Sequence, residues 1–493
     1  MTLPGATTRI NDQSSGVATG SDLLAVWAPV PMNDDGVPRL YSNASDIYTA
    51  HGYSEGLEYC ALHFQETGRP VLFVPLAIAT DGAVSDVVVT GNTGTSVVSV
   101  TAGADGALAE TDGILKVVTG GTIGTDQIEL SLSLDGGRVF KRVLLGRANS
   151  YTIPYVGLTL AFAAGTLVAG DTAITWHSSA PLTDGTAIAA AKTKMAAQQL
   201  LTRRWLLIGD LTSAADATAI KAAVDGYETT DERYTLVKCA LRDKLSSEAS
   251  HAVAINVLAT EFASVTSDPR IDLGYGRGAM LSPITGYKFR RSVQWADMLL
   301  AFRRDMRTTT WWKALGPASS RLTCGFDLNG ADGQPYEHDE RTSQGAIAAR
   351  FTCARTWGNG PVGAFIAKSL TRAEPNSVLV FTHNADVVNL YQTVVQQVTE
   401  EFAGATLVLQ PADSQGRRFA TAESLKEFET KVNSELARYL LSNIGGEGQR
   451  ASVANWRAAT DDDFGVVDAV LHGYGNLEVN GTIVRVATAV AVR

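Results

Sequence analysis

Along the chain, the pattern of apolar and polar positions changes character several times. Residues 1–22 are small and polar with no helical period, which predicts an extended arm. Leu23–Val30 (LLAVWAPV) is an unbroken apolar run closed by Pro31, the pattern of a buried strand. Ser45-Asp46 opens a short helix through Ala50 that ends at His51-Gly52. Ser54 then caps a second helix with Leu57, Cys60, Ala61 and Phe64 on one face, stopped by Gly68 and Pro70. Val71–Ile78 (VLFVPLAI) is a second apolar strand, in which Pro75 points to an irregular or edge position. These segments predict a β-α-β unit.

Near Thr80 the helical period disappears. Ser85–Val89, Ser96–Thr101, Ile114–Val118, Gln127–Leu134 and Val139–Leu145 read as short strands between Gly/Asp turns, with Asp135-Gly136-Gly137 as a hairpin signal. Because α/β patterning resumes afterwards, residues 81–179 are expected to form an inserted all-β sandwich or small barrel. Helical periodicity returns at Ala187–Thr202. Strand Trp205–Ile208, helix Ala214–Val224 and strand Tyr234–Ala240 follow as a parallel βαβ unit. A helix over Ser247–Val265 is expected to pack through Val253, Val257, Leu258 and Phe262.

In the last third, Val378–Phe381 reads as a strand. Asp386–Phe402 reads as a helix with Val387, Leu390, Tyr391, Val394, Val398 and Phe402 on one stripe. Leu407–Gln410 suggests a further strand. Ser424 to Glu427 has the form of a capping box, opening a helix whose Leu425, Phe428, Val432, Leu436 and Tyr439 face the core and which ends at Gly445-Gly446. The final residues read as strand, turn, strand, with Asn480-Gly481 as the turn signal and Ile483, Val484, Val486, Val490 and Val492 marking the last strand. Such a strand has at least one unpaired edge, and only Arg485 and Arg493 interrupt its apolar character. It either closes its own sheet or serves as an arm that a neighbouring subunit pairs with.

The fold class expected from this order is multidomain α/β (α+β), an α/β core carrying an all-β insertion. At 493 residues the chain exceeds a single core. A net charge of −10 without a long basic run argues against nucleic acid as the main partner. No apolar run is long enough to predict a membrane span, and the amino end lacks the pattern of a secretory signal. Cys60, Cys239, Cys324 and Cys353 are scattered with no C-x-x-C pair, so buried free thiols are the simplest expectation.

Motifs with chemistry are weak. Gly274-Tyr275-Gly276-Arg277-Gly278 does not read as a dinucleotide site, which needs a strand before it, a third glycine at the right offset and a helix after it, and neither a phosphate-loop lysine motif nor a nucleophile elbow is present. Glu337-His338-Asp339-Glu340 and Asp461-Asp462-Asp463 read as solvated polar turns, since adjacent side chains point apart. Arg303, Arg304 and Arg307 with Trp311 and Trp312 suit an interface patch better than a single-strand binder in an acidic protein. The residues therefore suggest no enzyme, no cofactor and no metal.

Two stretches carry a resemblance. LLAVWAPVP, GVPRLYSNASDIYTAHG, the helix ending at GRP and the strand VLFVPLA occur in the order seen in contractile tail sheath proteins of myophages. RFTCARTWGNGPVGAFIAKSLTRAE, two helices and the closing GYGNLEVNGTIVRVATAVAV are similar to the same family's C-terminal part. The resemblance implies a structural subunit of a phage tail, assembled in the host cytoplasm and resident in the virion. It implies an N-terminal arm (1–22), a first part of the α/β domain (23–80), an outward-projecting insertion (81–179) and a middle domain (180–350). A tube-facing inner domain (351–481) and a C-terminal arm strand (482–493) follow. Its implied partners are copies of itself in stacked rings, a tail tube protein, and baseplate and tail terminator proteins, with no nucleic acid and no membrane insertion.

The resemblance further implies interface strands at Thr8, Arg9 and Ile10 and at Ile483, Val484, Val486 and Val490. Hinges are expected at Gly16, Gly20, Gly475 and Gly481, and a tube-facing surface at Lys426, Glu427 and Lys431. A disulfide between subunits through Cys60 or Cys353 is a further expectation. A non-contractile viral shell or surface adhesin, and an α/β enzyme, remain the alternative classes.

Overall fold

A computed structural model describes residues 23–32, 35–85, 87–198, 200–231, 233–303, 322–328, 345–356, 364–402, 421–441, 451, 453–458, 470–479 and 482–491. The chain is a multidomain α/β protein. Its first unit runs β1 (Leu24–Pro29), β2 (Arg39–Tyr41), α1 (Ala44–His51), α2 (Glu55–Thr67) and β3 (Val71–Leu76). Ser54 caps α2 by accepting from Leu57 N–H, and Gly68 closes it in the left-handed conformation at φ 68°. Gly56 lets α2 lie against β1, since a Cβ there would fall 2.2 Å from that of Ala28. β3 pairs with β2 over residues 71–73, so Pro75 meets no ladder on that side.

Between β3 and the next helix the chain forms the insertion. Its strands are β4 (Val88–Val89), β5 (Val98–Ala102), β6 (Thr111–Thr119), β7 (Gly121–Thr122), β8 (Ile128–Ser133), β9 (Lys141–Gly146), β10 (Ser150–Ile153), β11 (Leu158–Phe162), β12 (Thr166–Leu167) and β13 (Thr172–Ser178). They build a five-stranded sheet in the order β4-β13-β6-β8-β9, a three-stranded sheet β10-β11-β5 and the pair β12-β7. Alternate residues of β6, β8 and β11 point into a common core. The two ends of the insertion meet where Ala79 N–H donates to Leu182 O and Leu182 N–H to Thr80 O, both at 2.9 Å.

The core then continues with α3 (Gly185–Ala197), β14 (Arg204–Leu211), α4 (Ala214–Thr229), β15 (Leu236–Leu241), α5 (His251–Glu261) and β16 (Ile271–Gly274). The six-stranded sheet has the order β16-β15-β14-β1-β3-β2, parallel except for β2. Strand alternation divides its side chains between two faces. Leu24, Val26 and Phe73 pack under α2, whereas Ala25, Trp27 and Val74 pack under α3, α4 and α5. Burial on both faces is why LLAVWAPV is continuously apolar rather than alternating. Burial on α5 falls on Ala254, Ile255 and Leu258, with Phe262 just beyond its end, whereas Val253 and Val257 are each 43% exposed, contrary to the expected face.

A hairpin of β17 (Arg277–Leu281) and β18 (Lys288–Ser292) leads into α6 (Val293–Arg303), which is buried beside α2. After α7 (Gly345–Ala348) comes the pair β19 (Cys353–Thr356) and β20 (Ala364–Lys368). Val378–Val380 is a 3-10 turn rather than the expected strand, because the Ser377 hydroxyl accepts from Leu379 N–H and closes the backbone. The chain ends with α8 (Thr382–Phe402), α9 (Ala422–Leu436), a π-helical turn at Ala437–Leu441, β21 (Val453–Ala458), β22 (Val470–Val479) and β23 (Thr482–Ala491). Helix α9 begins two residues before Ser424, so Ser424 to Glu427 is not its opening. These last elements share a separate core that includes Leu390, Tyr391, Val394, Phe428, Val432, Leu436, Trp456 and Leu477. The expected strand at Leu407–Gln410 and the helix end at Gly445-Gly446 lie outside the described residues.

Candidate assembly edge and the ionic junctions that frame it

The terminal sheet has the order β21-β22-β23. β22 and β23 pair along their whole length, from Val479 opposite Thr482 to Val470 opposite Ala491. The two outer edges of this sheet are treated differently. On β21, the Asn433 side chain of α9 accepts from Trp456 N–H at 2.7 Å and donates to Trp456 O at 2.9 Å, acting as a substitute strand. Tyr391 of α8 donates to Asn455 O at 2.8 Å, and the Trp456 ring packs edge-on against Phe428 at 5.1 Å. On β23, no strand among the described residues pairs with the second edge. Ten residues at about 3.4 Å each make that edge roughly 34 Å long.

The expected interface residues Ile483, Val484, Val486 and Val490 stand in β23 opposite Glu478, Leu477, Gly475 and Leu471, so this strand closes a sheet of its own chain on that side. Gly475 was expected as a hinge and is not placed as one. It is held opposite Trp456 on one side and Val486 on the other, which removes the freedom a hinge needs. Thr8, Arg9, Ile10, Gly16, Gly20 and Gly481 lie outside the described residues. Lys426, Glu427 and Lys431 are exposed on the outer face of α9, with Lys431 3.9 Å from Glu435.

All four cysteines are free and buried. Cys60 lies on the buried face of α2 in the first core and Cys353 in the core on the opposite face of the sheet, both with no exposed surface. Burial also pushes the Cys60 thiol well up. A disulfide to another subunit would require opening the core, so that expectation is corrected.

Two buried ionic junctions tie the parts together, and neither was anticipated. Asp386 at the start of α8 accepts from Arg203 Nη2 at 2.8 Å and from Arg204 Nε at 2.9 Å, with Arg204 Nη2 also in contact. Burial raises the Asp386 pKa, but the two guanidinium groups outweigh it and leave the carboxyl below its ordinary value. This joins the terminal unit to the first residue of β14. The second junction fastens the insertion to the core. Arg277 of β17 contacts Glu110 and Asp210, and Arg291 of β18 holds Glu55 at 3.0 Å and Glu58 at 2.9 Å. Glu110 N–H donates to Glu55 Oε1 at 3.0 Å. The one sequence signal was the density of arginine and acid around GYGRG and KFRRS.

These contacts also account for the glycine-rich stretch. Contrary to the expectation, a strand does precede the stretch, since Gly274 ends β16; Arg277 is taken by carboxylates and another strand follows instead of a helix, so no phosphate cradle forms. Arg303 pairs with Glu66 at 2.9 Å, and Trp295 is buried. Arg304, Arg307, Trp311, Trp312, the stretch Glu337 to Glu340 and Asp461 to Asp463 lie outside the described residues. Among the described residues no group of three potential ligands could hold a metal ion, and no helix is long and apolar enough to cross a membrane.

No protein-family model matches the chain, and no curated protein does. Among solved structures, it is similar to a sheath tail protein from Desulfitobacterium hafniense at 11% identity, with 96% of each chain covered and a TM-score of 0.47. It is similar also to a sheath tail protein from Listeria innocua at 11% identity, with 96% of this chain and 95% of that chain covered and a TM-score of 0.48.

Proposed function

We propose that the chain is the subunit of a contractile tail sheath, polymerising around a tail tube and contracting to drive that tube through a host envelope. The observation that carries this reading is the asymmetry of the terminal sheet, where Asn433 bonds the outer edge of β21 at Trp456 and no strand among the described residues pairs with the outer edge of β23. A long bare edge suits strand addition by a second copy, and main-chain hydrogen bonds give such a joint strength without demanding particular side chains. The order of segments from Leu23 to Ala77 and from Arg350 to Val492 supports the same reading. In it, residues 1–22 supply the strand that a neighbour receives, the insertion projects outward, and Lys426, Glu427 and Lys431 face the tube.

Contraction then needs no nucleotide. If the contracted array buries a few hundred Å² more apolar surface per subunit, roughly 25 cal/mol per Å² supplies several kcal/mol each, summed over all copies. Negative-stain electron microscopy of the purified chain, alone and with a tail tube, tests the reading. Helically striated hollow tubes are expected from the full chain, and folded, unassembled particles after deletion of residues 482–493. Monodisperse particles of the full chain under both conditions would contradict it.

A further inference from the structure

Lys238 lies in the middle of the central sheet with no exposed surface. Its register partner on the adjacent strand is Asp272, and Asp297 of α6 reaches the same ammonium group from the packed helix; both carboxylates are also wholly buried. Lys238 Nζ donates to Asp272 Oδ2, to Asp297 Oδ2 at 2.5 Å and to Ser369 Oγ at 3.3 Å. Ser369 Oγ in turn donates to Asp297 Oδ2 at 2.6 Å. The far oxygen of Asp272, Oδ1, accepts from Gln294 Nε2 at 2.7 Å and from Thr352 Oγ1 at 2.6 Å. Thr352 Oγ1 itself accepts from Leu370 N–H at 2.9 Å, which leaves its own proton directed at Asp272.

One ammonium faces two carboxylates in a dry core, and the Arg204 guanidinium, whose pKa both of these carboxylates raise, supplies the cluster with a further positive charge, so both acids stay ionised. Burial raises the Asp272 pKa, Lys238 offsets part of that rise, and the Asp297 carboxylate adds to it. The site thus places an amine, a carboxyl carbon, a proton carrier and a pair of hydrogen-bond donors on one carboxyl oxygen within contact of one another. Those are the parts an acyl transfer to nitrogen requires, held at high effective concentration.

We propose that Lys238 and Asp272 condense into an intramolecular amide, with Asp297 carrying the proton, so that β15 and β16 become covalently joined through their side chains. Asp297 takes one proton from the ammonium group, and the freed Nζ lone pair attacks Cγ of Asp272. Negative charge gathers on Oδ1, where Gln294 and Thr352 donate. Collapse breaks the Cγ–Oδ2 bond, and Asp297 returns its proton to the departing oxygen, which takes a second proton from nitrogen. One ammonium and one carboxylate become one amide and one water, and no outside reagent is consumed. The product replaces a buried charge pair by a neutral group.

Intact-mass spectrometry of the full chain, kept folded until its mass is constant and then denatured, tests this. The expected mass is lower than the sequence requires by one water. Tryptic digestion is expected to give a branched peptide joining the segment that carries Lys238 to the segment that carries Asp272, without cleavage after Lys238. Asp297→Asn keeps the shape of the site but removes the proton carrier, and should retain the full mass. A wild-type chain of full sequence mass, with a free peptide ending at Lys238, would overturn the proposal, as would loss of water mapped to any other peptide. The wild-type mass decides the matter by itself, even where the variant fails to fold.

Discussion

The six-stranded sheet ends at β2, three residues long, and at β16, four residues long with Gly274 bridged to Thr352. In the terminal sheet Asn433 bonds the outer edge of β21 at Trp456, and no described strand pairs with the outer edge of the ten-residue β23. Short or covered edges are how proteins avoid unwanted pairing. Among the described residues, three of these four edges are short, bridged or bonded, and the β23 edge is not. The central sheet thus ends in short or bridged strands, whereas the terminal sheet has one ten-residue edge that no described strand pairs with.

The severest challenge to this contrast cuts the tie between the two sheets. Arg204→Leu leaves Asp386 buried with only Arg203 beside it, and should cost about 3–5 kcal/mol. Urea denaturation is expected to show the terminal unit melting ahead of the core. The closed edge comes next. Asn433→Ala strips the N–H and C=O of Trp456 of their partner, which should cost about 2 kcal/mol and add a second sticky edge. Light scattering of the variant should then show irregular association instead of ordered tubes.

The central side can be probed by pH. His63 is fully buried against Tyr59, Phe64 and Phe302, and burial lowers its pKa to about 3. The unfolded chain takes up this proton below its ordinary value of 6.5 while the folded chain does not, so stability falls as pH drops from 6.5 toward 3. At pH 5, about 1.5 units lower, the loss from this group is about 2 kcal/mol. His63→Phe should flatten that part of the stability profile, measured by denaturant midpoints across the range.

The smallest effect on stability is expected at the open edge. Along β23 successive N–H groups alternate between β22 and the free side. Of Val484→Pro and Arg485→Pro, the one whose N–H faces outward should cost under about 1 kcal/mol yet abolish assembly, as read by sedimentation. The other should unsettle the hairpin itself.

Much of the fold was legible because local signals agreed with burial. LLAVWAPV and VLFVPLAI carry apolar residues on both faces, Ser54 and Gly68 bracket α2, and Asn480-Gly481 separates two β-prone runs of equal length. Sequence patterns misled where two were equally good. His251–Glu261 is apolar nearly all round, so its buried side could be assigned to Val253 and Val257 when Ala254 and Ile255 hold it. Val378–Phe381 has strand composition, yet Ser377 turns it. The ionic junctions were least legible. Lys238 within TLVKCAL and Arg204 before WLLIG interrupt or border apolar runs, which hints at buried charge. Their partners Asp272, Asp297 and Asp386 stand 34, 59 and 182 positions away, and only the folded sheet brings them together.

Whether β23 is an edge awaiting a partner can be read from hydrogen–deuterium exchange of residues 482–491, in the isolated chain and in assembled particles. Alternate amides of β23, those facing away from β22, should exchange quickly in the isolated chain and become protected on assembly. Equal exchange of these amides in both states would mean that the open edge takes no part in assembly.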